Sequence, residues 1–305
     1  MEMREQSYML AISQFGSIKK AAEYLHIASP TLSVFLSNLE ETTGVRMFDR
    51  LGKRFVPTAA GRLYIENARE MMRIRDRYEF QMNDLKKGTK GVIRLGIHPR
   101  RTLFLLAESL AKFTPLHPEV QISTFEGLSD EMFRLLLDGE LDFIINNRYH
   151  PDPSLSYIPF YQDRLVAVVS EDHPAAVKIP KAADKTVQWI DLSVFSGRRF
   201  ILPFPEQSVR VYADKAIAYS GAVPGQTFFI ENLESGCQIA AEGLGVAFNF
   251  ESYIRRFSYP KAFRYFYTGN PNETADYFII YRKDHYLPNY TREFIEVLKE
   301  QLAAL

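Results

Sequence analysis

The spacing of apolar residues predicts short helices joined by tight turns over residues 1–58. The first helix spans residues 3–15 and ends at Gly16, because glycine readily adopts the left-handed conformation common at helix C-termini. Ser17 can then cap a second helix with the sequence IKKAAEYL. A third helix follows in SPTLSVFLSNLEETTG, and the next segment, VRMFDRLGKRFVPTAAG, is typical of a hairpin that turns at LGKR.

A long helix is predicted from Thr58 to Lys87, where there is no proline and, after Gly61, no glycine. Seven positions recur at alternating spacings of four and three, with a polar interruption at Arg75, as in a heptad seam. Such a helix can pack on the core of its own domain or pair with a partner subunit, and the charged residues between seam positions favour the partner. The seam positions are Tyr64, Ala68, Met71, Arg75, Tyr78, Met82 and Leu85.

Strands and helices alternate beyond Gly91, which predicts an α/β architecture with mostly parallel sheets. Breaks in this alternation divide the region into two lobes. We expect residues 91–161 and 268–305 to form the first lobe and residues 164–266 to form the second.

Composition is that of an ordinary globular protein, with 46% hydrophobic and 24% charged residues. No apolar run approaches the ~20 residues of a membrane helix, and the N-terminus lacks the features of a secretory signal. The single cysteine, Cys237, cannot form an internal disulfide bond, so we expect a cytoplasmic protein.

The formal net charge of zero is an average over two unlike regions. Residues 1–90 carry 15 lysines and arginines against 11 acidic residues, so they hold a net charge of +4 and the remainder −4. A basic head on an acidic body suits a protein that presents one end to phosphate groups.

Catalytic and metal-binding motifs are missing from the sequence. The six histidines show neither His-x-His nor His-Glu-x-x-His spacing, and one cysteine cannot build a zinc site. There is no Gly-x-Ser-x-Gly motif and no phosphate-binding loop. We therefore expect neither an enzyme nor a bound metal or cofactor.

The segment from Gly16 to Gly61 closely resembles the N-terminal signature of the LysR-type transcriptional regulators. Beyond residue 90, the chain length and the alternation of strands and helices also fit that family. The shared positions are Gly16, Ser17, Ala21, Ala22, Leu25, Pro30, Ser33, Leu39, Glu40, Gly44, Phe48, Arg50, Thr58 and Gly61.

The resemblance implies an α/β multidomain regulator that binds double-stranded promoter DNA and a small-molecule effector. Its parts would be a winged helix-turn-helix over residues 1–58, a dimerising linker helix over 59–88, and an effector domain over 91–305. That domain would have two α/β lobes like a periplasmic binding protein, and the chain would form a homotetramer, a dimer of dimers. A transport solute-binding protein, the alternative with such a fold, would fail to bind DNA.

In such a motif the third helix enters the major groove with its N-terminal residues leading. The family usually has Ser-Gln before the proline and polar residues after the serine, but here Ala28 and Ser29 precede Pro30 and Val34 and Phe35 follow Ser33. Val34 could contact a thymine methyl group, whereas Phe35 could face DNA or pack on the first helix. The candidate DNA-contacting residues of this helix are Ser29, Pro30, Thr31, Ser33 and Val34.

Three basic residues of the hairpin, Arg50, Lys53 and Arg54, can pair with DNA phosphates and fix the position of the protein on the duplex. For Arg50 the alternative is a salt bridge with Asp49 or a neighbouring helix end.

Ligands of two-lobed α/β domains bind between the lobes, at the carboxyl ends of strands and beside helix N-termini. This rule selects five loops, and the resemblance adds Thr102 as a hydroxyl donor. The arginines could also be solvated loop residues, but together they favour an anionic effector. The candidate effector-binding residues are Arg100, Arg101, Thr102, Asn146, Arg148, Pro203 and Asn249.

Overall fold

The computed structural model describes residues 3–52, 54–85, 90–179 and 186–303. The N-terminal region has three short helices, a two-stranded hairpin and a long helix, in the order that the sequence predicts. These elements are α1 (Arg4–Phe15), α2 (Ile18–Tyr24), α3 (Ser29–Thr43), β1 (Phe48–Leu51), β2 (Arg54–Pro57) and α4 (Ala59–Leu85).

Local sequence signals fix these boundaries. Gly16 and Gly44 take left-handed conformations at the ends of α1 and α3. The Ser17 hydroxyl accepts the backbone N–H of Lys20 at 3.4 Å, so it caps α2. A Cβ atom on Gly61 would lie 1.9 Å from the Met47 carbonyl oxygen, so only glycine lets α4 approach the hairpin this closely.

The core of the N-terminal domain lies where α1, α2 and α3 meet. Ala21 and Ala22 are fully buried, and their small side chains let α2 approach its neighbours. Leu32 and Leu36 fill the space from the side of α3, as their spacing predicts. Phe35 packs edge-on against Tyr8 of α1, with ring centroids 5.2 Å apart, which favours packing over a DNA contact.

Helix α4 uses one face for its own domain and leaves another exposed. Among the predicted seam positions, Ala68 is buried and Tyr64 packs against the N-terminal core, whereas Met71 and Tyr78 are exposed. The Leu85 side chain and residues 86–89, at the predicted end of the linker, lie outside the described residues. The exposed apolar residues of this helix, called here the α4 stripe, are Leu63, Met71, Ile74 and Tyr78.

The C-terminal region forms two five-stranded sheets with helices packed on them. Its first and last elements build one lobe, because the chain returns to that lobe after completing the other. The first lobe contains β3 (Gly91–Ile97), α5 (Pro99–Phe113), β4 (Val120–Glu126), α6 (Ser129–Asp138), β5 (Phe143–Asn146), β6 (Leu155–Asp163), β12 (Ala275–Arg282) and α11 (Asn289–Ala303).

The second lobe contains the intervening elements. They are β7 (Leu165–Ser170), α7 (Pro174–Val177), a 3-10 turn (Leu192–Phe195), β8 (Arg199–Pro203), α8 (Ser208–Ser220), β9 (Gln226–Ile230), α9 (Leu233–Ala241), β10 (Val246–Phe250), α10 (Glu251–Arg256) and β11 (Phe263–Tyr267).

Both sheets are mixed, whereas the alternation of strands and helices predicted mostly parallel pairing. The strand orders are β4-β3-β5-β12-β6 and β11-β7-β10-β8-β9. Strand β12 runs antiparallel to β5 and β6, and β7 runs antiparallel to β10 and β11. The chain passes between the lobes from β6 to β7 and from β11 to β12, and the antiparallel pairs all involve these strands. The remaining, parallel strands are joined by helical crossovers.

Candidate functional site

A cavity of about 260 Å³ lies between the two lobes of the C-terminal region. Helices of both lobes begin at its wall: α5 and α6 from the first lobe, and α8, α9 and α10 from the second. Helix N-termini present free backbone N–H groups and a partial positive charge, so they favour negatively charged ligands. The cavity thus lies where the sequence rule predicts a ligand site.

Arg101 lies in the wall of this cavity and is 8% exposed. Its guanidinium carbon stands 4.1 Å from the centre of the Tyr277 ring, and its Nη1 donates to the Ile145 carbonyl at 3.3 Å. Among the described residues no carboxylate forms an ion pair with it. A buried cation without a counter-ion is costly, and an anionic ligand in the cavity would relieve that cost.

Arg100 also lines the cavity, but residues of the second lobe already hold its side chain. Its Nε donates to Oε1 of Glu234 at 3.1 Å, and its Nη2 contacts the same oxygen. Nη2 also donates to Oδ1 of Asn249 at 2.9 Å. The Tyr253 ring covers one face of the guanidinium, 3.8 Å from its carbon. Arg100 therefore ties the two lobes together.

Arg148 and Asn146 lie at the first-lobe side of the cavity. Arg148 pairs with Asp130 at 2.7 Å, and both side chains are largely exposed. Asn146 is buried, donates to the Ser129 hydroxyl at 3.0 Å and accepts the backbone N–H of Arg148 at the same distance. Asn146 holds the loop in shape, while Arg148 stands at the mouth.

Three predicted effector residues do not line the cavity. The Thr102 hydroxyl is buried and has no hydrogen-bond partner in the described part of the chain. The Pro203 carbonyl accepts from Nη1 of Arg210 at 3.0 Å. Asn249 lies behind Arg100, and its Nδ2 donates to the Cys237 sulfur at 3.6 Å. Asn249 thus acts on the cavity through Arg100.

Several wall residues were not predicted from the sequence: His98, Gln207, Tyr253 and Tyr277. Tyr253 follows β10 directly, so the rule that selects carboxyl ends of strands could have found it. Tyr277 lies within a strand and carries no such signal. Burial, together with the positive charges of Arg101 and Arg100, lowers the pKa of His98 to about 4, so this residue is neutral at pH 7.

The first turns of α3 form an exposed surface on the N-terminal domain. Pro30, Thr31 and Ser33 are exposed, Ser29 is half-exposed, and Val34 is 58% exposed although it is apolar. An apolar side chain left in solvent on a helix of this kind suits contact with a thymine methyl group.

The hairpin beside α3 carries basic side chains into solvent. Arg50 and Arg54 are exposed, and the Arg50 guanidinium lies 5.0 Å from the centre of the Phe55 ring. Within the described ranges Arg50 forms no ion pair, so the alternative salt bridge with Asp49 is not formed. Lys53 lies outside the described residues.

Within the part of the chain that the structure describes, no three histidine, cysteine, aspartate or glutamate side chains group together in a way that could hold a metal ion. None of the described helices combines the length and apolar character that crossing a membrane requires.

Comparison with known families covers almost the whole chain. The model described as "LysR substrate binding domain" matches residues 86–303, and "Bacterial regulatory helix-turn-helix protein, lysR family" matches residues 3–62. These two matches cover the cavity-bearing region and the α3 surface respectively.

Individual proteins support the same assignment. The HTH-type transcriptional regulator YtlI of Bacillus subtilis is 31% identical over 186 residues, which is 58% of each chain. A hydrogen peroxide-inducible genes activator of Haemophilus influenzae is 21% identical over 308 residues, with 100% of this chain and 98% of that one covered.

Among solved structures, a cysteine variant of full-length OxyR from Pseudomonas aeruginosa superposes with a TM-score of 0.72 at 20% identity. The superposition covers 99% of this chain and 97% of that chain, so it extends over the helix-turn-helix, the long helix and both lobes. With both regions matched in order, the chain belongs to the LysR family of bacterial transcriptional regulators, as a DNA-binding regulator with an effector-binding domain rather than an enzyme.

Proposed function

We propose that this regulator acts in the cytoplasm as a homo-oligomer that binds promoter DNA through α3 and the hairpin, and responds to a small anionic effector. The effector occupies the cavity between the lobes. The observation that carries this proposal is Arg101, a buried cation in the cavity wall with no carboxylate partner among the described residues.

The cavity suits a small metabolite rather than a polymer. A volume of about 260 Å³ corresponds to about nine water molecules at roughly 30 Å³ each. Helix N-termini from both lobes surround it, so an anion there contacts both lobes at once and stabilises one arrangement of them. A ligand shifts a conformational equilibrium only by its difference in affinity for the two states, and contacts to both lobes supply such a difference.

Peroxide sensing, suggested by the names of some relatives, finds no support in this chain. Its single cysteine is fully buried, and burial raises the pKa of the Cys237 thiol to about 12. The thiolate is the reactive form of cysteine, and it is scarce at neutral pH when the pKa is this high. We therefore assign the response to ligand binding.

On the DNA side, the proposal assigns phosphate contacts to the hairpin and base contacts to α3. Arg50 and Arg54 are exposed and free of ion pairs within the described residues. Their hairpin is tied to α3 where the backbone N–H groups of Met47 and Phe48 donate to Glu40. The candidate residues of α3 offer hydroxyl groups and the Val34 methyl groups, so part of the sequence preference depends on the shape of the groove. Lys53 is assigned to phosphate with Arg50 and Arg54.

One gel-shift series tests the whole proposal. DNA from upstream of the gene is titrated with wild type, Arg50→Ala, Arg54→Ala and Arg101→Gln, across a range of salt and with or without small carboxylic acids. The hairpin variants should weaken binding to all sequences alike and lower the salt slope by about 1 for each lost contact. Arg101→Gln should bind DNA as wild type does without acid and lose the response to acid.

Arg148→Gln is the matched control for the cavity, because Arg148 is exposed at the mouth and already paired. It should reduce the response to acid less than Arg101→Gln does. Failure of the wild type to shift this DNA, with or without acid, would contradict the DNA contacts assigned to α3 and the hairpin. A wild type that responds only to neutral or cationic molecules would rule out the anionic effector.

A further inference from the structure

The three arginines around the cavity differ in how far their charge is already neutralised. Arg100 forms an ion pair with Glu234 across the gap between the lobes, and Arg148 forms one with Asp130 at the mouth. Arg101 alone among these three has no ion pair in the described part of the chain. Arg101 is therefore the one guanidinium of the three that no carboxylate contacts directly in the described part of the chain, although the sequence suggests three free arginines.

Arg100 is already largely engaged, and only its Nη1 group has no hydrogen-bond partner among the described residues. Two of its nitrogens contact one oxygen of Glu234, and Nη2 also donates to Asn249. The ring of Tyr253 occupies one face of the guanidinium. A second ligand carboxylate near Arg100 would meet the negative charge of Glu234, because Glu234 lies against the same guanidinium.

Asp163 is a buried carboxylate on the inner side of Arg101, and its negative charge raises the pKa of Arg101 without forming an ion pair with it. Its Oδ1 accepts the backbone N–H groups of Arg164 at 2.8 Å and Ser252 at 3.2 Å. Its Oδ2 accepts the Ser252 hydroxyl at 2.5 Å. Glu206, the remaining acidic residue of the wall, is exposed at the rim and adds further repulsion toward a doubly charged ligand.

We infer that the effector carries a single negative charge, bound at Arg101, and that Glu234 enforces this limit by neutralising Arg100. The inference rests on the proposed function and narrows the effector to monoanionic acids. A second carboxylate would lose its hydration shell in the cavity without gaining a cation. That loss is unfavourable for any buried charge without a partner.

Gln207 indicates that the uncharged part of such an acid carries a hydrogen-bond donor. Its Nε2 donates to the Glu231 carbonyl at 2.7 Å, which fixes the orientation of the amide. Its Oε1 is consequently an acceptor, and it is buried without a partner among the described residues. A hydroxyl or amide group on the effector can donate a hydrogen bond to this oxygen. Such a donor is neutral, so the effector still carries only one charge.

Acids matched in shape but not in charge test the inference. The probes are succinate, glutarate and adipate, each compared with its monoamide, which replaces one carboxylate by a neutral group of the same size. Binding is measured by thermal shift and by calorimetry on the full-length wild type, E234Q and D130N. In the wild type the monoamides should bind about tenfold more tightly than the dicarboxylates, a difference of about 1.4 kcal/mol.

The E234Q variant keeps a hydrogen-bonding partner for Arg100 and removes the negative charge. In this variant the affinities for monoamides and dicarboxylates should therefore differ by no more than about threefold, or the dicarboxylates should bind more tightly. The D130N variant frees Arg148 at the mouth, where both side chains are largely exposed and water screens the charge, so it should change the preference far less than E234Q does. Arg100→Gln leaves Glu234 charged without its partner, so it should weaken binding of both kinds of acid.

The outcomes separate the two ideas. A wild type that binds dicarboxylates as well as monoamides, or an unchanged preference in E234Q, overturns the single-charge inference and leaves the anionic effector in place. Absence of binding by every acid, with DNA binding intact, overturns both the inference and the anionic effector while the DNA-binding role stands.

Discussion

His98 caps α5 by accepting the backbone N–H of Arg100 at 3.3 Å, and it does so as a neutral ring. Burial and the charges of Arg101 and Arg100 lower its pKa to about 4, against 6.5 for an ordinary histidine. Between these pH values the unfolded chain binds a proton that the folded chain does not. Acidification over this range therefore destabilises the fold through His98.

Asp163 acts in the opposite direction over nearly the same range. Burial raises its pKa to about 6 from the ordinary value of 3.8, although hydrogen bonds from Ser252 oppose the shift. Between these pH values the folded chain binds a proton that the unfolded chain has released. Acidification then favours folding through Asp163, so the two effects largely offset each other in the wild type.

The variant His98→Asn should reveal that the effects of His98 and Asp163 on the pH dependence of stability offset each other. Asparagine can cap α5 but carries no titrating group, so the destabilising effect of acid is removed and that of Asp163 remains. The stability of the variant relative to wild type should increase as the pH falls from 6.5 to 4. With about 1.4 kcal/mol for each pKa unit, the gain is roughly 1–3 kcal/mol.

Urea unfolding at several pH values in this range measures the gain. His26 is exposed, so His26→Asn is a control that should follow the pH dependence of the wild type. Identical pH dependence in His98→Asn and wild type would contradict the assigned pKa.

At this scale, the sequence predicted the residue types of the site but not their partners. Arg100, Arg101 and Arg148 all follow strand ends, and strand ends are visible in the sequence. What neutralises them is not visible, since Glu234 is 134 positions away from Arg100. Only the packing of the two lobes brings these residues into contact.

Helix α4 shows how one sequence repeat can include positions that pack on different surfaces. The four members of the α4 stripe follow spacings of eight, three and four, so they share one side of the helix. Met71 and Tyr78 of the predicted seam belong to this stripe, whereas Tyr64 at the start of the seam packs against the N-terminal core. A sequence repeat alone does not say which of its positions pack within the domain.

The α4 stripe is the surface on which we expect two chains to pair. Ile74→Asp combined with Tyr78→Asp places buried charges in that contact, each at a cost of several kcal/mol. Sedimentation should show smaller species than the wild type forms. Operator affinity should fall strongly, because two half-sites need two linked helix-turn-helix domains.

Arg77→Asp adds a comparable charge to an exposed position of α4 outside the stripe and should leave the oligomer unchanged. An oligomer that survives the double substitution would show that the chains pair through another surface.

Strand β6 is the element that sequence patterns did not indicate. Pro159 stands in its middle and cannot donate a backbone hydrogen bond, which argues against a strand. The structure accommodates it because β6 is an edge strand and its register with β12 shifts between Tyr277 and Phe278. Helix boundaries were better predicted, because glycine, serine and proline mark them locally.

Across the whole molecule, α4 is fastened to the effector domain of its own chain. Arg69 pairs with Asp138 at 3.3 Å, and Nη2 of Arg73 donates to the Leu137 carbonyl at 3.2 Å. Nearer its C-terminus, Asp84 accepts the hydroxyl of Tyr286 at 2.8 Å. Between these points Arg73 also pairs with Asp284 at 3.6 Å, and the Phe80 ring packs edge-on against His285. The helix that carries the DNA-binding domain therefore contacts the domain that holds the cavity at several points along its length.

Removing the contacts that Arg69 and Arg73 make with the end of α6 should uncouple the DNA-binding domain from the effector domain. In Arg69→Ala with Arg73→Ala, affinity for promoter DNA without acid and affinity for the acid should stay near wild type. The ratio of DNA affinities with and without acid should fall toward one, since coupling between two sites is a free energy carried by the contacts between them.

Gel shifts with and without acid measure this ratio. Arg77→Ala, on the exposed side of the same helix, should keep the wild-type ratio. Wild-type coupling in the double variant would show that the signal takes another route.

Helix α6 begins beside the cavity at Ser129 and ends against α4 at Asp138. Its ten residues form a rod about 15 Å long, and Arg73 and Asp84 lie about 16 Å apart along α4. If a bound ligand moved α6 by about 1 Å and the contact at Asp84 stayed in place, the part of α4 around Arg73 would shift with α6. Helix α4 would then tilt by roughly 4°. In a paired regulator that tilt would change the distance between the two α3 helices, which must match a half-site spacing of about 34 Å. A metabolite could thus select among promoters by the number of base pairs between their half-sites.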